Sequence, residues 1–280
     1  VRIPGAIVDV VVIAPDQPLS HEVFHDPTLT GESWGAPEPV GDIGLTDRTA
    51  IARRAAAELS DGAVINYGFG IPDAVAKIAA ARGDAGKYYQ TIEHGTYGGT
   101  LLGGTSFGYA RYATAMIDAP SQFDFYSGGG LDMAFLGMGE LDAEGSVNVS
   151  KLGGVTVGPG GFIDIAQNAR KVVFCGTFEA KGVKLSIGGG RLLIEQHGAV
   201  RKIVPAVDQI TFSGPQAIKS GQEVIYVTER AVFRLTPAGL VLAEVAPGVD
   251  VKADVLDRMG FEPLIPAAPK IMDGSLFTEE

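Results

Sequence analysis

The sequence predicts an α/β protein with three layers, helix–sheet–helix (α/β/α), around a mainly parallel central sheet. Three observations lead there. Runs of strand length such as KVVFCGTF (171–178) are continuously apolar, as strands covered on both faces are. From Thr46 onward these runs alternate with helical segments over short connections, the order of strand–helix–strand units. The 39 glycines of the 280 residues, about twice the usual ~7% share, cluster between apolar runs with no periodic repeat, as where backbone comes close to a ligand.

Along the chain, AIVDVVVIA (6–14) has the β-branched density of a strand. The stretch 15–45 holds five prolines and few periodic apolar positions, so an extended arm is expected there. TDRTAIARRAAAELSDG (46–62) reads as a helix with Thr46 or Asp47 as N-cap and Gly62 past its end. A strand over 63–69 and a helix opened by Pro72 over 72–83 follow, then a strand over 88–93. Further strands are expected at 131–141, 171–178, 183–187 and 202–207. EVIYVTERAVFRLTPAGLVLAEVAPG (223–248) reads as a strand meander, VDVKADVLDRMG (249–260) as a closing helix, and the proline-rich tail as irregular.

Composition narrows the function. A formal charge of −11 argues against nucleic acid or an anionic membrane as the main partner. No run approaches the ~20 apolar residues of a membrane span, and no signal-peptide pattern is present. The single cysteine, Cys175, lies in an apolar run and reads as a core thiol of a cytoplasmic protein.

HEVFH (21–25) matches the zincin pattern H-E-x-x-H, but Pro18 and Pro27 leave barely two turns of helix and no third-ligand histidine follows. No metal site is expected, and the segment reads as arm packed against another domain. NYGFGIPDAV (66–75) begins like a dinucleotide fingerprint but has Pro72 in place of its third glycine. Glu93 is the sharper candidate. It ends an apolar strand and faces glycines at 95, 98, 99, 103 and 104, at the strand end where open α/β sheets bind ligands. A solvated loop charge or a capping group is the alternative reading of that residue.

With these residues in view, the chain resembles the family I CoA transferases, in the acetate or propionate CoA-transferase branch and in their glutamate-bearing C-terminal half. The resemblance rests on NYGFGIPDAV, IEHGTYGGTLLGGTSFG (92–108), QFDFYSGGGLDMAFLGMGELDAEGSVNVSKLGG (122–154), VGPGGFIDIAQNARKVVF (157–174) and YVTERAVFRLTPAGL (226–240). It implies the CoA-transferase fold, coenzyme A as a substrate with no permanently bound cofactor, and Glu93 as covalent nucleophile. It also implies that the Asn66 amide and the Gly161 backbone amide bind the oxyanion. Gly68, Gly70, His94, Gly95, Gly98, Gly99, Gly128, Gly129, Gly130 and Gly160 would line the acyl pocket and the CoA path.

Two departures from the family pattern stand out. Position 94 is histidine, where the pattern has a small or amide residue, which bears on substrate choice and could orient a water. An acyl-CoA hydrolase on the same fold and a non-catalytic CoA-binding subunit therefore remain as alternatives. The chain also matches one of the family's two α/β halves, with 1–45 resembling the end of the first half plus its connecting arm and 46–280 the catalytic, beta-type domain. The expectation is a cleaved or split enzyme whose complementary N-terminal half is a separate chain, assembled into a higher homo-oligomer.

Overall fold

The computed structural model describes residues 3–18, 23–36 and 39–279. Its frame is a ten-stranded sheet. The five central strands are β1 (Val64–Tyr67), β2 (Tyr89–Ile92), β3 (Met133–Gly137), β4 (Lys171–Cys175) and β5 (Glu223–Val227). They run parallel in the order β2-β1-β3-β4-β5. The antiparallel meander β6 (Ala231–Thr236) and β7 (Gly239–Val245) extends one flank. On the other flank Thr96–Tyr97 pairs antiparallel with β2, and Ala115–Met116 with Thr96–Tyr97.

The period-two geometry of a strand sends alternate side chains to opposite faces, and here both faces are apolar. Val173 and Cys175 of β4 join Ile65, Tyr67 and Phe135 in a core covered by α1 (Asp47–Ala56) and α2 (Ile71–Ala81). Val172 and Phe174 join Leu136 and Tyr226 in a second core, covered by α3 (Ala119–Phe125), α4 (Phe162–Asn168) and α5 (Gly214–Ser220). Residues of α3 and its C-terminal turn, α4 and α5 that pack there include Tyr126, Phe162, Ile165 and Ala217. This is the three-layer arrangement. Cys175 is buried, and burial pushes its thiol up; it is a core residue.

Local sequence accounts for the helix starts. Thr46 and Thr49 form a reciprocal cap, Thr49 N donating to Thr46 Oγ1 at 3.1 Å and Thr46 N to Thr49 Oγ1 at 2.8 Å. In α2 Pro72 sits in the first turn, where its missing N–H leaves no bond unmade. Gly70 precedes it at φ +90°, in the left-handed range that favours glycine.

Three expected elements differ. Residues 8–14 form no strand; Gly5–Ile7 makes a 3₁₀ turn and Val10 to Ile13 stand exposed. β-branched density supplies preference but not a neighbouring strand to pair with. Residues 202–207 make a single bridge, Ile203 with Leu141, and Pro205 has no N–H to extend it. The strand expected at 183–187 is present as Lys184–Gly188, paired with Arg191–Gln196 in a hairpin apart from the main sheet. Residues 251–258 form short π and 3₁₀ turns rather than an α-helix, divided at Val255 with φ −119°. Among the described residues, no helix is long and apolar enough to cross a membrane.

Candidate active site

β1 leads through α2 to β2 on one side, whereas β3 leads through α4 to β4 on the other. The carboxyl ends of β1 and β3 therefore flank a topological switch point, where open α/β sheets form a crevice. A cavity of about 270 Å³ lies there. The residues just past β1, Gly68 and Phe69, and the end of β3, Leu136 and Gly137, form two of its sides. Pro159, Gly160, Gly161 and Phe162 at the start of α4 form a third, and Glu93 and Asn66 also reach it.

Side-chain alternation brings the polar residues together. Ile65 and Tyr67 face the α1/α2 core, so Asn66 between them faces the opposite layer. Thr91 lies beside Asn66 in register, and Glu93, two residues on, follows in the turn after β2. Asn66 Nδ2 donates to Glu93 Oε2 at 3.1 Å and stands 3.4 Å from the Tyr126 hydroxyl. The Tyr126 hydroxyl lies 2.6 Å from Thr91 Oγ1, which donates to the Ile65 carbonyl at 2.8 Å. Burial pushes the Tyr126 phenol up, and the nearby Glu93 charge adds to that, so it stays protonated at neutral pH.

Glu93 is partly exposed to the cavity. Among the described residues, no lysine, arginine or histidine forms an ion pair with it. It is a carboxylate held by one neutral donor and open on its other side. A group so placed can attack a carbonyl carbon, and neutral N–H groups beside it can stabilise the oxyanion that forms.

The other residues named from the sequence fall in different places. Gly68, Gly160 and Gly161 line the cavity, and Gly161 packs so closely on Phe123 that a Cβ would sit 2.8 Å from its ring. Gly95, Gly98 and Gly99 do not line it. All three have positive φ, and their missing side chains admit Ile117, Thr114 and the Arg111–Ala113 backbone. Gly70 caps α2. Gly128, Gly129 and Gly130 form the π turn after α3, outside the cavity lining. His94 is exposed, and its ring packs against Gly108 rather than lining the cavity. In HEVFH, His21 and Glu22 lie outside the described residues, and His25 bonds Glu32 at 3.1 Å within the arm. Among the described residues, no cluster of potential metal ligands occurs.

Four contributors escaped the sequence reading: Thr91, Tyr126, Phe69 and Phe107. Phe69 and Phe107 meet edge to face, ring centres 5.5 Å apart, at the cavity. The phenylalanine after Gly68 and the aromatic cluster preceding SGGG were the signals available for Phe69 and Tyr126.

Comparison with known proteins places this site in a family. No family model matches the chain. The acetate CoA-transferase subunit beta of Escherichia coli K12 is 30% identical over 211 residues, covering 72% of this chain and 86% of that subunit. The chain belongs to the family I CoA-transferases. The caffeate CoA-transferase of Acetobacterium woodii is 43% identical over 288 positions, covering all of this chain and 55% of that protein. The acetate CoA-transferase YdiF of E. coli K12 is likewise 43% identical, with 53% of its length covered. The chain thus spans about half the length of these relatives. The crystal structure of YdiF apoenzyme from E. coli O157:H7 superposes on all of this chain and 52% of its own, with TM-score 0.88 and 42% identity. YdiF as a thioester complex with CoA gives TM-score 0.84 at 42% identity, over 99% of this chain and 52% of its own. Glutaconate CoA-transferase from Acidaminococcus fermentans, at 18% identity and TM-score 0.63 over 85% of this chain and 93% of its own, shares the fold.

Proposed function

We propose that this CoA-transferase half carries Glu93 as the covalent nucleophile that moves CoA from an acyl-CoA to a short-chain carboxylic acid. The carrying observation is the Glu93 carboxylate itself. It stands at the switch-point cavity, paired with no cation among the described residues and hydrogen-bonded by the Asn66 amide. In this reading a Glu93 oxygen attacks the thioester carbonyl, the C–S bond breaks, and an acyl-glutamyl anhydride and CoA thiolate result. The thiolate attacks the glutamyl carbonyl, releasing the first carboxylate and leaving a glutamyl-CoA thioester. The acceptor carboxylate then displaces CoA thiolate to form a new anhydride. Thiolate attack on its acyl carbonyl yields the new acyl-CoA and restores Glu93.

The oxyanion of each tetrahedral intermediate falls to Asn66 Nδ2 and the Gly161 amide, which share the cavity. The apolar walls Phe69, Leu136 and Phe107 keep water from intermediates that would hydrolyse. The thioester complex with CoA described for YdiF supports this chemistry, and the names of the relatives support CoA as substrate. Residues 1–45 would be the end of the preceding half with its connecting arm, 46–280 the catalytic half, and the complementary half a separate chain, within a cytoplasmic homo-oligomer. Hydrolysis is the weaker reading because His94, the residue that could orient a water, faces Gly108 and not the cavity.

The test is trapping. Incubating the intact enzyme with acyl-CoA and no acceptor should build a CoA adduct on Glu93, visible by peptide mass spectrometry. Rapid release of free CoA with no adduct would instead identify a hydrolase.

A further inference from the structure

Asn66 can serve Glu93 only in one of its two amide orientations. A flip of about 180° would set Oδ1, an acceptor, against the carboxylate. Within the Asn66–Glu93 pair only the carboxylate itself opposes that flip, so any second restraint must lie behind the amide.

Counting protons along the buried chain identifies it. Thr91 has one hydroxyl proton, and Oγ1 spends it on the Ile65 carbonyl at 2.8 Å. The 2.6 Å contact between Thr91 Oγ1 and the Tyr126 hydroxyl then uses the tyrosine's proton, with the buried Gln122 side chain also beside that hydroxyl. With its proton pointed at Thr91, the Tyr126 oxygen offers only lone pairs to Asn66, and it meets Nδ2 at 3.4 Å. One amide proton faces Tyr126 and the other faces Glu93. Flipping the amide would oppose Oδ1 to two acceptors at once. The cost of the observed orientation is visible too, since Asn66 Oδ1 is buried with no partner. Tyr126 and Asn66 are both fully buried, so water does not scramble the order.

We propose that Thr91 and Tyr126 are positioning residues, a directional hydrogen-bond relay from the Ile65 carbonyl that locks the Asn66 amide with Nδ2 toward Glu93. The relay rests on Glu93 and Asn66 acting as proposed above. It touches neither acyl group nor CoA, and it acts through Asn66. The tyrosine sits at the start of the turn Tyr126–Gly130, which follows α3 and breaks at Gly129 (φ +89°). Threonine at 91 contributes a committed acceptor, and valine of the same shape would not.

The experiment uses the intact enzyme and steady-state exchange between an acyl-CoA and a carboxylate. Tyr126→Phe should lower kcat about 5- to 20-fold, the scale of one buried hydrogen bond, with KM for acyl-CoA changed less than about twofold. Thr91→Val should do the same, because a released Tyr126 proton can turn to Asn66 Oδ1 and favour the flipped amide. Thr91→Ser keeps the hydroxyl and should recover most of the lost kcat. In an Asn66→Ala background, Tyr126→Phe should cost nothing further. Equal losses from Tyr126→Phe with and without Asn66 would overturn the relay, as would Thr91→Ser failing like Thr91→Val. The parent reading fails differently: full activity in Glu93→Gln would remove the reaction itself, whereas an essential Glu93 with a silent Tyr126→Phe removes only the relay.

Discussion

Two glutamates of this chain sit in polar clusters at the C-terminal side of the sheet, and their surroundings are opposites. Glu179 is fully buried and saturated. Arg258 Nε lies 2.7 Å from Oε1, and the Gly198 amide, His197 Nδ1 and Arg230 Nη1 lie 3.0, 3.3 and 3.4 Å from Oε2. Glu93 has one neutral amide and a cavity. A carboxylate wrapped by guanidinium groups has its charge spent on structure. One left with a neutral donor keeps its lone pairs available for a carbonyl carbon, and its placement contributes little to holding the fold. The contrast separates an acid committed to structure from one left open to a ligand, without reference to either residue's name.

The largest effect expected from this contrast is on turnover. Glu93→Gln keeps shape and the Asn66 neighbour but removes the proposed nucleophile, and should cut exchange by a factor of about 10⁴ or more, with thermal stability within ~1 kcal/mol of the parent. A Glu93→Gln enzyme that unfolds more easily yet retains exchange would reverse the assignment of the two acids.

Glu179→Ala should show the mirror image. It takes from the fully buried Arg230 one of its two carboxylate partners, leaving Glu229 at 2.9 Å and the guanidinium 4.6 Å from the Phe178 ring centre, so the loss should lie toward the lower end of the about 3–5 kcal/mol that removing one partner of a buried ion pair costs. Urea unfolding measures this, and a loss below ~1 kcal/mol would show the network to be slack. The pH dependence sharpens it. Burial works against the Glu179 charge, but the Gly198 amide, Arg258 and Arg230 hold its carboxyl below the ordinary value of 4.5. A folded value below the unfolded one gives stability that is complete above about 4.5 and lost as pH falls through the folded value. The difference in melting temperature between parent and Glu179→Gln should therefore be constant from pH 7 to about 5 and narrow below pH 4.5.

The third effect lies on the Glu93 side. Asn66→Ala removes the neutral donor and should lower kcat about 10²- to 10³-fold, the usual scale for an oxyanion donor, with the trapped Glu93 adduct forming more slowly. Adduct formation at the parent rate would leave Glu93 without need of its one neighbour.

How much of this was legible in the sequence follows the physics of each element. The β4 run KVVFC and the proline-opened helix α2 were readable because both-face burial and N-terminal proline leave marks in composition. Glu93 could be located because it ends an apolar strand just before glycines. What those glycines do was not readable. A glycine that admits a ligand and one that admits Ile117 or Arg111 carry the same letter, and only the fold separates Gly161 at the cavity from Gly95, Gly98 and Gly99 in turns. The relay behind Asn66 was hidden for another reason. Thr91, Tyr126 and Asn66 lie 25 and 60 residues apart in pairs with Asn66, and their meeting depends on strand register and on which layer each side chain faces. The exposed 8–14 run shows the converse limit, since apolar β-branched sequence states a preference that only a neighbouring strand can satisfy.

The smallest effect concerns the open side of Glu93, the side that Glu179 lacks. Phe107 lines the cavity and braces Phe69 edge to face; Phe69 is itself 63% exposed, so the pair stands at the mouth. In a cavity of about 270 Å³ the acyl chain competes with these rings for space. Phe107→Leu should admit longer acids, and a methylene in such a pocket is worth about 1–3 kcal/mol in specificity. Measured as kcat/KM across straight-chain carboxylates, the optimum should move by one or two carbons and the preference for a shorter over a longer acid should fall about tenfold. Glu93 should still form the adduct, since no donor to it has changed. An unmoved chain-length profile would place the acyl group away from the Phe69–Phe107 mouth, and would show that the open side of this carboxylate serves the thiol end of CoA rather than the acid.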